Sequence, residues 1–286
     1  MQKETTLNFP DINEAFIGNT TLNGVCRKYV DILNSTNTFY NNQYANKLLE
    51  FLEVDRKINL LELEFRQFKS FLRKWSKANN VKLKLLVRKK HFIGFNSKIR
   101  MFLIEHDDLE NIRDLLGFRV ILLTDKLDSI ESHRLHYKLM NECLLYFISK
   151  RNALLLNAGK NSGKPLKPDS KMAKQIFIYN NSELLLEFRN KVKNYSLQPK
   201  FPGYQGLHAH LKTLSGLIIE LQIRTMAMDL FAESIHEQYK KERYSNFEIN
   251  LDYEKINLPG LIFDENFYLV KDYVGLFTSV DPFYII

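Results

Sequence analysis

The chain has 286 residues, 45% hydrophobic and 26% charged, with a net charge of +8 at pH 7 and two cysteines. These proportions are those of a folded globular protein with one sizeable core, and no run reaches the roughly 18 uncharged apolar residues that a membrane span needs. The opening MQKETTLNFPDINEAF has acids where a secretory signal needs a basic head, and Cys26 and Cys143 stand far apart in no metal spacing, so a reduced, cytoplasmic protein is expected. The basic surplus favours polyanionic partners, nucleotides or RNA, although solvated surface lysines alone give the same charge.

Residues 1–80 read as a helical region. Within it Leu61, Phe65, Phe68, Phe71, Leu72 and Trp75 recur at spacings of three and four, which places them on one helical face. Strands are expected at Val81–Val87, which alternates, and at Gly117–Thr124, a continuous apolar run, with one or two short helices between about Asn96 and Leu116. A long helix is expected from about Leu127 to Lys150, then a loop at Asn157–Lys171, dense in Gly, Pro, Ser and Lys. A strand (QIFIY) and a helix (SELLLEFRNKV) follow. LHAHLKTL and LIIELQIR read as two strands joined by Ser215-Gly216 in a hairpin, and a helix is expected from Met226 to about Arg243. The order predicts an α+β (mixed α/β) domain over 81–243, with about five strands in a mixed sheet flanked by helices, and an aromatic C-terminal tail over 244–286.

Several chemical-looking signals fail on their own terms. AGKNSGKP is not a P-loop: its glycines are one residue too close, and Pro165 stands where the motif needs a hydroxyl. His106-Asp107-Asp108 has the dipeptide of metal phosphohydrolases, yet Asp108 can equally cap the following helix. His133 and His136 share a helical face and His208 and His210 a strand face, but neither pair has an evident carboxylate or thiolate to complete a zinc site.

Three segments have the chemistry that a polyphosphate needs. Arg88-Lys89-Lys90, with Lys98 and Arg100 beyond, puts cations at the end of a strand and the start of a helix, where they can wrap phosphates or stack on a base. Asp114 lies five residues before Arg119 at the entry to an apolar strand; such a carboxylate can hold magnesium or simply end a helix and pair with the arginine. In IIELQIR, Glu220, Gln222 and Arg224 alternate with apolar residues, so their side chains share one face, either solvated or the floor of a site. Tyr204, in the loop before, can stack on a base or be an ordinary loop aromatic.

From about Val81 to Lys240 these segments resemble, in order and spacing, the synthetase domain of the RelA/SpoT homologues, above all the small alarmone synthetases. Arg88-x-Lys90 with Lys98 is similar to the family's ATP-binding cluster, and DLLGFR (Asp114 to Arg119) to its D-x-x-G-x-R signature. Pro199-Lys200-x-x-Gly203-Tyr204 with His208 resembles its guanosine loop. Glu220-x-Gln222-x-Arg224-Thr225, with Met228, Ala232-Glu233, His236 and Tyr239-Lys240, resembles its most specific stretch. The resemblance implies a nucleotidyltransferase-like pyrophosphokinase that moves a diphosphate from ATP to a ribose 3′-hydroxyl. Arg88 and Arg119 would sandwich the adenine, and Lys90 and Lys98 would hold the phosphates. Asp114 and Glu220 would be catalytic and bind Mg2+. Tyr204, Lys200, His208, Gln222 and Arg224 would receive the acceptor.

The chain also departs from that family. Only 87 residues precede Arg88, too few for the hydrolase domain of long members, so a synthesis-only enzyme is expected. An insertion is placed at about 145–195. The usual Asn-Gly-Tyr-x-Ser is Pro202-Gly203-Tyr204-Gln205-Gly206, Asp-Tyr is Asn194-Tyr195, and His-Trp is His236-Glu237, so the ATP side is kept better than the acceptor side. With the +8 charge and the basic inserted loop, this tips the expected acceptor towards the tRNA 3′ end, as in toxic members restrained by an antitoxin protein, over GDP or GTP. Neither a membrane nor DNA is an expected partner. From another class, a non-catalytic RNA-binding module would retain the fold and basic cleft, but carboxylates at Asp114 and Glu220 repel a polyanion unless magnesium lies between.

Overall fold

A computed structural model describes residues 7–19, 21–90, 92–105, 107–123, 130–158, 184–196, 204–234 and 283–285. The chain forms two compact units that interleave along the sequence. The first comprises Met1–Ile58, Lys90–Ile112 and Lys240–Thr278; the second comprises Asn59–Lys89, Arg113–Tyr239 and Ser279–Ile286.

The first unit is helical where it is described: α1 (Asn13–Phe16), α2 (Leu22–Ser35), α3 (Phe39–Arg56) and α5 (Phe92–Ile104). Thr21 starts α2 by accepting a hydrogen bond from the Gly24 amide at 3.1 Å, as an N-cap does. Tyr29, Tyr44 and Phe92 are fully buried, and Phe51 of α3 meets Phe92 and Phe95 of α5 at 5.7 and 6.0 Å between ring centroids. The helical stretch expected between Asn96 and Leu116 is thus one helix that begins earlier. It is followed by a 3-10 turn at Leu109–Asn111, which Asp108 caps through the Glu110 amide.

The second unit is built on a mixed sheet. In chain order it contains α4 (Ile58–Asn79, from Asn59 on), β1 (Lys82–Lys89), β2 (Leu116–Leu123), α6 (Ile130–Arg151), β3 (Leu154–Leu155), β4 (Val192–Asn194), β5 (Leu207–Lys212) and β6 (Ile218–Thr225). Helix α7 over 226–234 and β7 (Phe283–Ile285) complete it. The strand order is β3-β5-β6-β2-β1-β7, with β4 also paired to β5. β2 and β6 run parallel and the other pairs antiparallel. The expected mixed sheet flanked by helices is present; as described it has seven strands, of which β3, β4 and β7 contain only two or three residues, too few for an alternation to register.

Strand periodicity divides this sheet into two faces. Leu85, Val120, Ile223 and Leu207 form one cross-strand row, and Val87, Phe118, Leu221 and Ala209 the next. Phe118 stacks on Phe68 of α4 at 5.6 Å, and Phe68 meets Phe147 of α6 at 4.9 Å. The expected helical stripe is therefore the part of α4 that covers this face: Leu61, Phe65, Phe68, Leu72 and Trp75 are buried, with Phe71 at its margin stacked on Tyr146 at 4.5 Å.

One expected element differs. Residues 182–192 were expected to be helical, but Leu186–Phe188 is a 3-10 turn and Val192 opens β4. The i,i+4 spacing of Leu184, Phe188 and Val192 imitates a helix, and all three are buried. However, Val192 pairs with Ala209, and this sheet pairing overrides the local preference. The QIFIY strand, most of the Asn157–Lys171 loop and the helix beyond residue 234 lie outside the described residues. Of the aromatic tail, Phe283–Ile285 is described, pairing with β1 from Leu86 to Lys84.

Candidate functional site

The second face of the sheet is polar, and strand register sets its layout. Arg88, Gly117, Glu220 and His210 are neighbours across β1, β2, β6 and β5. Two residues further along, Leu86, Arg119, Gln222 and His208 form the next row, which Lys193 extends on β4. Ile121 and Arg224 follow. Cross-strand partners project to the same side, so the alternating Glu220, Gln222 and Arg224 meet residues from four other strands.

Gly117 keeps the first row open. A Cβ there would meet Cγ and Nε of Arg88 at 3.4 Å, an ordinary contact, so a residue this small leaves the Arg88 side chain room to lie across β2 towards Glu220, which a bulkier one would not. Its Nη2 stands 3.7 Å from Glu220 Oε2 while the side chain stays 48% exposed. The glycine of DLLGFR is thus a spacer between an arginine and a carboxylate.

Glu220 is the centre of the polar network. His208 Nδ1 lies 2.9 Å from its Oε1, Gln222 Nε2 donates to its Oε2 at 2.7 Å, and His210 Nε2 lies 3.9 Å from Oε1. Gln222 Oε1 accepts in turn from Arg119 Nε at 3.1 Å and Arg224 Nη2 at 3.2 Å. The two arginines are neutralised from α7: Asp229 Oδ1 is 2.9 Å from Arg224 Nη1 and 3.5 Å from Arg119 Nη1, and Glu233 Oε1 is 2.8 Å from Arg119 Nη1. Arg224 also donates to the Tyr204 hydroxyl at 2.6 Å, with its guanidinium carbon 4.9 Å from the Tyr204 ring centroid.

The charge states follow from this arrangement. Burial by itself raises the Glu220 carboxyl and Asp114 adds to that, but the hydrogen bond from His208, joined by its charge once the ring is protonated at low pH, outweighs both and holds the carboxyl well below the usual carboxylate range. Burial lowers His208 against the pull of Glu220, and lowers His210 to about 4, so both imidazoles are neutral at pH 7. Burial also raises the Tyr204 phenol, against Arg224. Burial and the neighbouring Arg224 and Arg88 lower Arg119, whereas Tyr204 and Asp229 overcome burial to raise Arg224.

Magnesium prefers hard oxygen ligands and often takes one or two protein carboxylates together with substrate phosphates. Glu220 provides an ionised carboxylate deep in the site, and Asp114, two residues before β2, acts electrostatically on both Glu220 and His210. Among the described residues no group of three or more His, Cys, Asp or Glu could hold a metal ion, so an ion here would rest on Asp114, Glu220 and substrate phosphates.

Of the residues singled out in the sequence, Arg88, Asp114, Arg119, Tyr204, His208, Glu220, Gln222 and Arg224 belong to the second unit. Lys90 and Lys98 belong to the first, where Lys98 Nζ lies 5.8 Å from the Phe102 ring centroid. Lys200, His236, Tyr239 and Lys240 lie outside the described residues. The hydrogen bonds of Arg119 use the edge of its guanidinium, which leaves stacking, a property of its face, compatible with them. Three participants were not assigned roles from the sequence: His210, Asp229 and Glu233. The shared face of His208 and His210 was the available sign for the first, and the Ala232-Glu233 match for Glu233; nothing local distinguishes Asp229 from an ordinary first-turn helix residue. His136 proves to be a core histidine, its Nε2 bonding the Ile223 carbonyl at 2.7 Å.

The comparisons with known proteins fall on this region. Residues 173–244 match the family described as "Region found in RelA / SpoT proteins". The match covers 72 of the 286 residues. It contains Tyr204, His208, His210, Glu220, Gln222, Arg224, Asp229 and Glu233, so the match lies on the acceptor half of the expected site, where the departures from the family had been counted. The probable GTP diphosphokinase RSH2, chloroplastic, of Arabidopsis thaliana is 39% identical over 70 residues, which is 23% of this chain and 10% of that protein. The similarity thus spans about a tenth of the curated relative's length. Two crystal structures of small alarmone synthetase 1 from Bacillus subtilis, one bound to its product pppGpp, are 18% and 17% identical. Each overlay covers 61% of this chain and 68% of that one, with TM-scores of 0.33 and 0.31, too loose to transfer residue roles.

Proposed function

We propose that this chain is a diphosphotransferase that moves the β,γ-diphosphate of ATP to a ribose 3′-hydroxyl. The observation that carries the reading is Glu220: a buried carboxylate held ionised at the junction of Arg88, His208 and Gln222, within the matched segment 173–244. An ionised carboxylate surrounded by cations and neutral donors can accept a proton where a polyanionic substrate is held. Arg88 and Arg119 bind the adenosine side, Lys90 and Lys98 the phosphates, and Tyr204, Lys200, His208, Gln222 and Arg224 the acceptor. Magnesium bound by Asp114 and Glu220 would neutralise phosphate charge. The acceptor 3′-oxygen gives its proton to Glu220 and bonds to the β-phosphorus; the bond from that phosphorus to the α,β-bridging oxygen breaks, and AMP leaves. Most of the acceleration is positioning and charge stabilisation.

The acceptor we assign first is a guanine nucleotide, GDP or GTP, giving (p)ppGpp; the similarity to a probable GTP diphosphokinase supports it. The second reading, the tRNA 3′ end with a neutralising antitoxin protein, is favoured by the +8 charge and the altered loop Pro202 to Gly206. We propose the cytoplasm as its location under either reading. The test offers purified protein, Mg2+ and γ-labelled ATP to GDP, GTP and deacylated tRNA in parallel. Label on GDP or GTP supports the first reading. Label on tRNA, lost when the terminal ribose is oxidised, supports the second. A folded protein that labels none of the three defeats both.

A further inference from the structure

The Tyr204 hydroxyl, the His208 ring and the Glu220 carboxylate form a line. His208 Nε2 is 2.6 Å from Tyr204 Oη, and His208 Nδ1 is 2.9 Å from Glu220 Oε1. The proton positions on this line follow from the groups themselves. An ionised carboxylate only accepts, so His208 must carry its proton on Nδ1 and donate it to Oε1. The Nε2 atom of that neutral ring is then an acceptor, so Tyr204 must turn its O–H towards it. Arg224 Nη2, a donor only, occupies the remaining side of the phenol oxygen at 2.6 Å. Every donor has one direction, and His208 has one tautomer.

The backbone is shaped to close this line. Tyr204 and His208 are four residues apart, and Gly206 between them has φ +151°, a conformation that L side chains rarely adopt. A Cβ at that position would lie 3.4 Å from Arg224 Cγ and 3.6 Å from His208 Nε2. Gly206 is one of this chain's departures from the family pattern, and here it lets the loop pass close enough for Tyr204 to reach back to the ring of His208.

We propose that His208 is a positioning residue: anchored by the Tyr204 hydroxyl, it aims the Glu220 carboxylate, so that docking of the acceptor at Tyr204 sets the group that receives the acceptor's proton. This inference rests on the diphosphotransferase reading above. The logic is that of a catalytic triad run in reverse, with the carboxylate at the reacting end and the tyrosine as the remote anchor. Loss of an outer partner that orients a metal ligand typically costs about 10- to 100-fold in metal affinity or activity.

The test separates the tyrosine's ring from its hydroxyl. Y204F keeps the ring and loses the anchor; it should lower kcat about 10- to 100-fold while leaving the acceptor KM near that of the wild type. H208N retains an amide that can donate to Glu220 and should keep more activity than H208A. A second readout needs no turnover. In protein with 15N-labelled histidine and no substrate, His208, assigned by its absence from H208N, should appear as the fixed Nδ1–H tautomer, and Y204F should move the Nε2 resonance, which loses its hydrogen bond, while Nδ1 stays protonated. A Y204F enzyme with wild-type kcat, or with only a raised KM, overturns the inference, as does a mixed tautomer in the wild type. If no acceptor is labelled, the diphosphotransferase reading falls; the histidine spectrum then still decides whether Tyr204 and Glu220 fix the ring.

Discussion

The two faces of the sheet in the second unit are made from the same strands, one residue out of step, and they are held together differently. On one face Phe118 and its neighbours meet Phe68 and Phe147 in a contact of aromatic rings, where stability is spread over many small dispersion and burial terms. On the other, charged and polar groups are buried nearly as deeply: Glu220, Gln222 and Arg224 are 7%, 4% and 3% exposed. There most donors are matched to an acceptor, with Arg224 Nε a buried exception, and one altered atom leaves a buried charge uncompensated. The apolar face should therefore fail gradually in stability and the polar face abruptly in function.

The largest effect is expected on the polar face. E220Q keeps the shape but removes the charge and the proton acceptor, so turnover should fall by about 1,000-fold or more, measured as label transfer. A well-folded E220Q enzyme with substantial activity removes Glu220 from that role. The counterpart on the apolar face is F68A. Emptying the space between Phe118 and Phe147 should cost about 3–5 kcal/mol of stability, read from urea unfolding, with kcat of the folded fraction little changed. If F68A and E220Q affect both quantities equally, the two faces are not separable in this way.

These two faces were not equally legible in the sequence. The α4 stripe and the alternation of β6 could be read directly, because each records which side of an element meets apolar neighbours, and the side chains of Glu220, Gln222 and Arg224 do share one face. Legibility ended where the partner lies far along the chain. Nothing near Asp229 says that it will neutralise both Arg119 and Arg224, and nothing near Gly117 says that Arg88 will cross it. Val192 shows the same limit in the fold: its helical spacing is a local signal, and its pairing with Ala209 is not.

A smaller effect should show where the two faces meet through a strand backbone. His136 of α6 is fully buried, its Nε2–H donating to the Ile223 carbonyl of β6, and burial lowers it to about 3. The folded state resists protonation while the unfolded chain takes a proton near pH 6.5, so its contribution is fully present above that pH. It is lost as the pH falls from about 6.5 towards 3, at up to about 1.4 kcal/mol per pH unit. His210, lowered to about 4, adds to the slope over nearly the same window. H136Q, whose amide can still donate to the carbonyl, should fold nearly as well at pH 7 and lose less stability between pH 6.5 and 5. A slope identical to that of the wild type would place the acid sensitivity elsewhere.

The smallest effect isolates the spacer on the polar face. At Gly117 an alanine Cβ would sit 3.4 Å from Arg88 Cγ and Nε, an ordinary contact, whereas a valine would carry two more methyls into the path of the guanidinium. The Arg88–Glu220 pair that crosses there is half-exposed on the arginine side, and such pairs contribute about 0–1 kcal/mol, so stability should scarcely register either change. Binding should. G117A is expected to hold ATP as the wild type does, and G117V to weaken it several-fold because Arg88 is pushed off its course, as measured by calorimetry with Mg2+–ATP and no acceptor. R88A supplies the limit: if G117V weakens ATP further than R88A does, the glycine protects strand geometry as well as the arginine's path. Equal losses in G117V and R88A would reduce its role to letting one side chain pass.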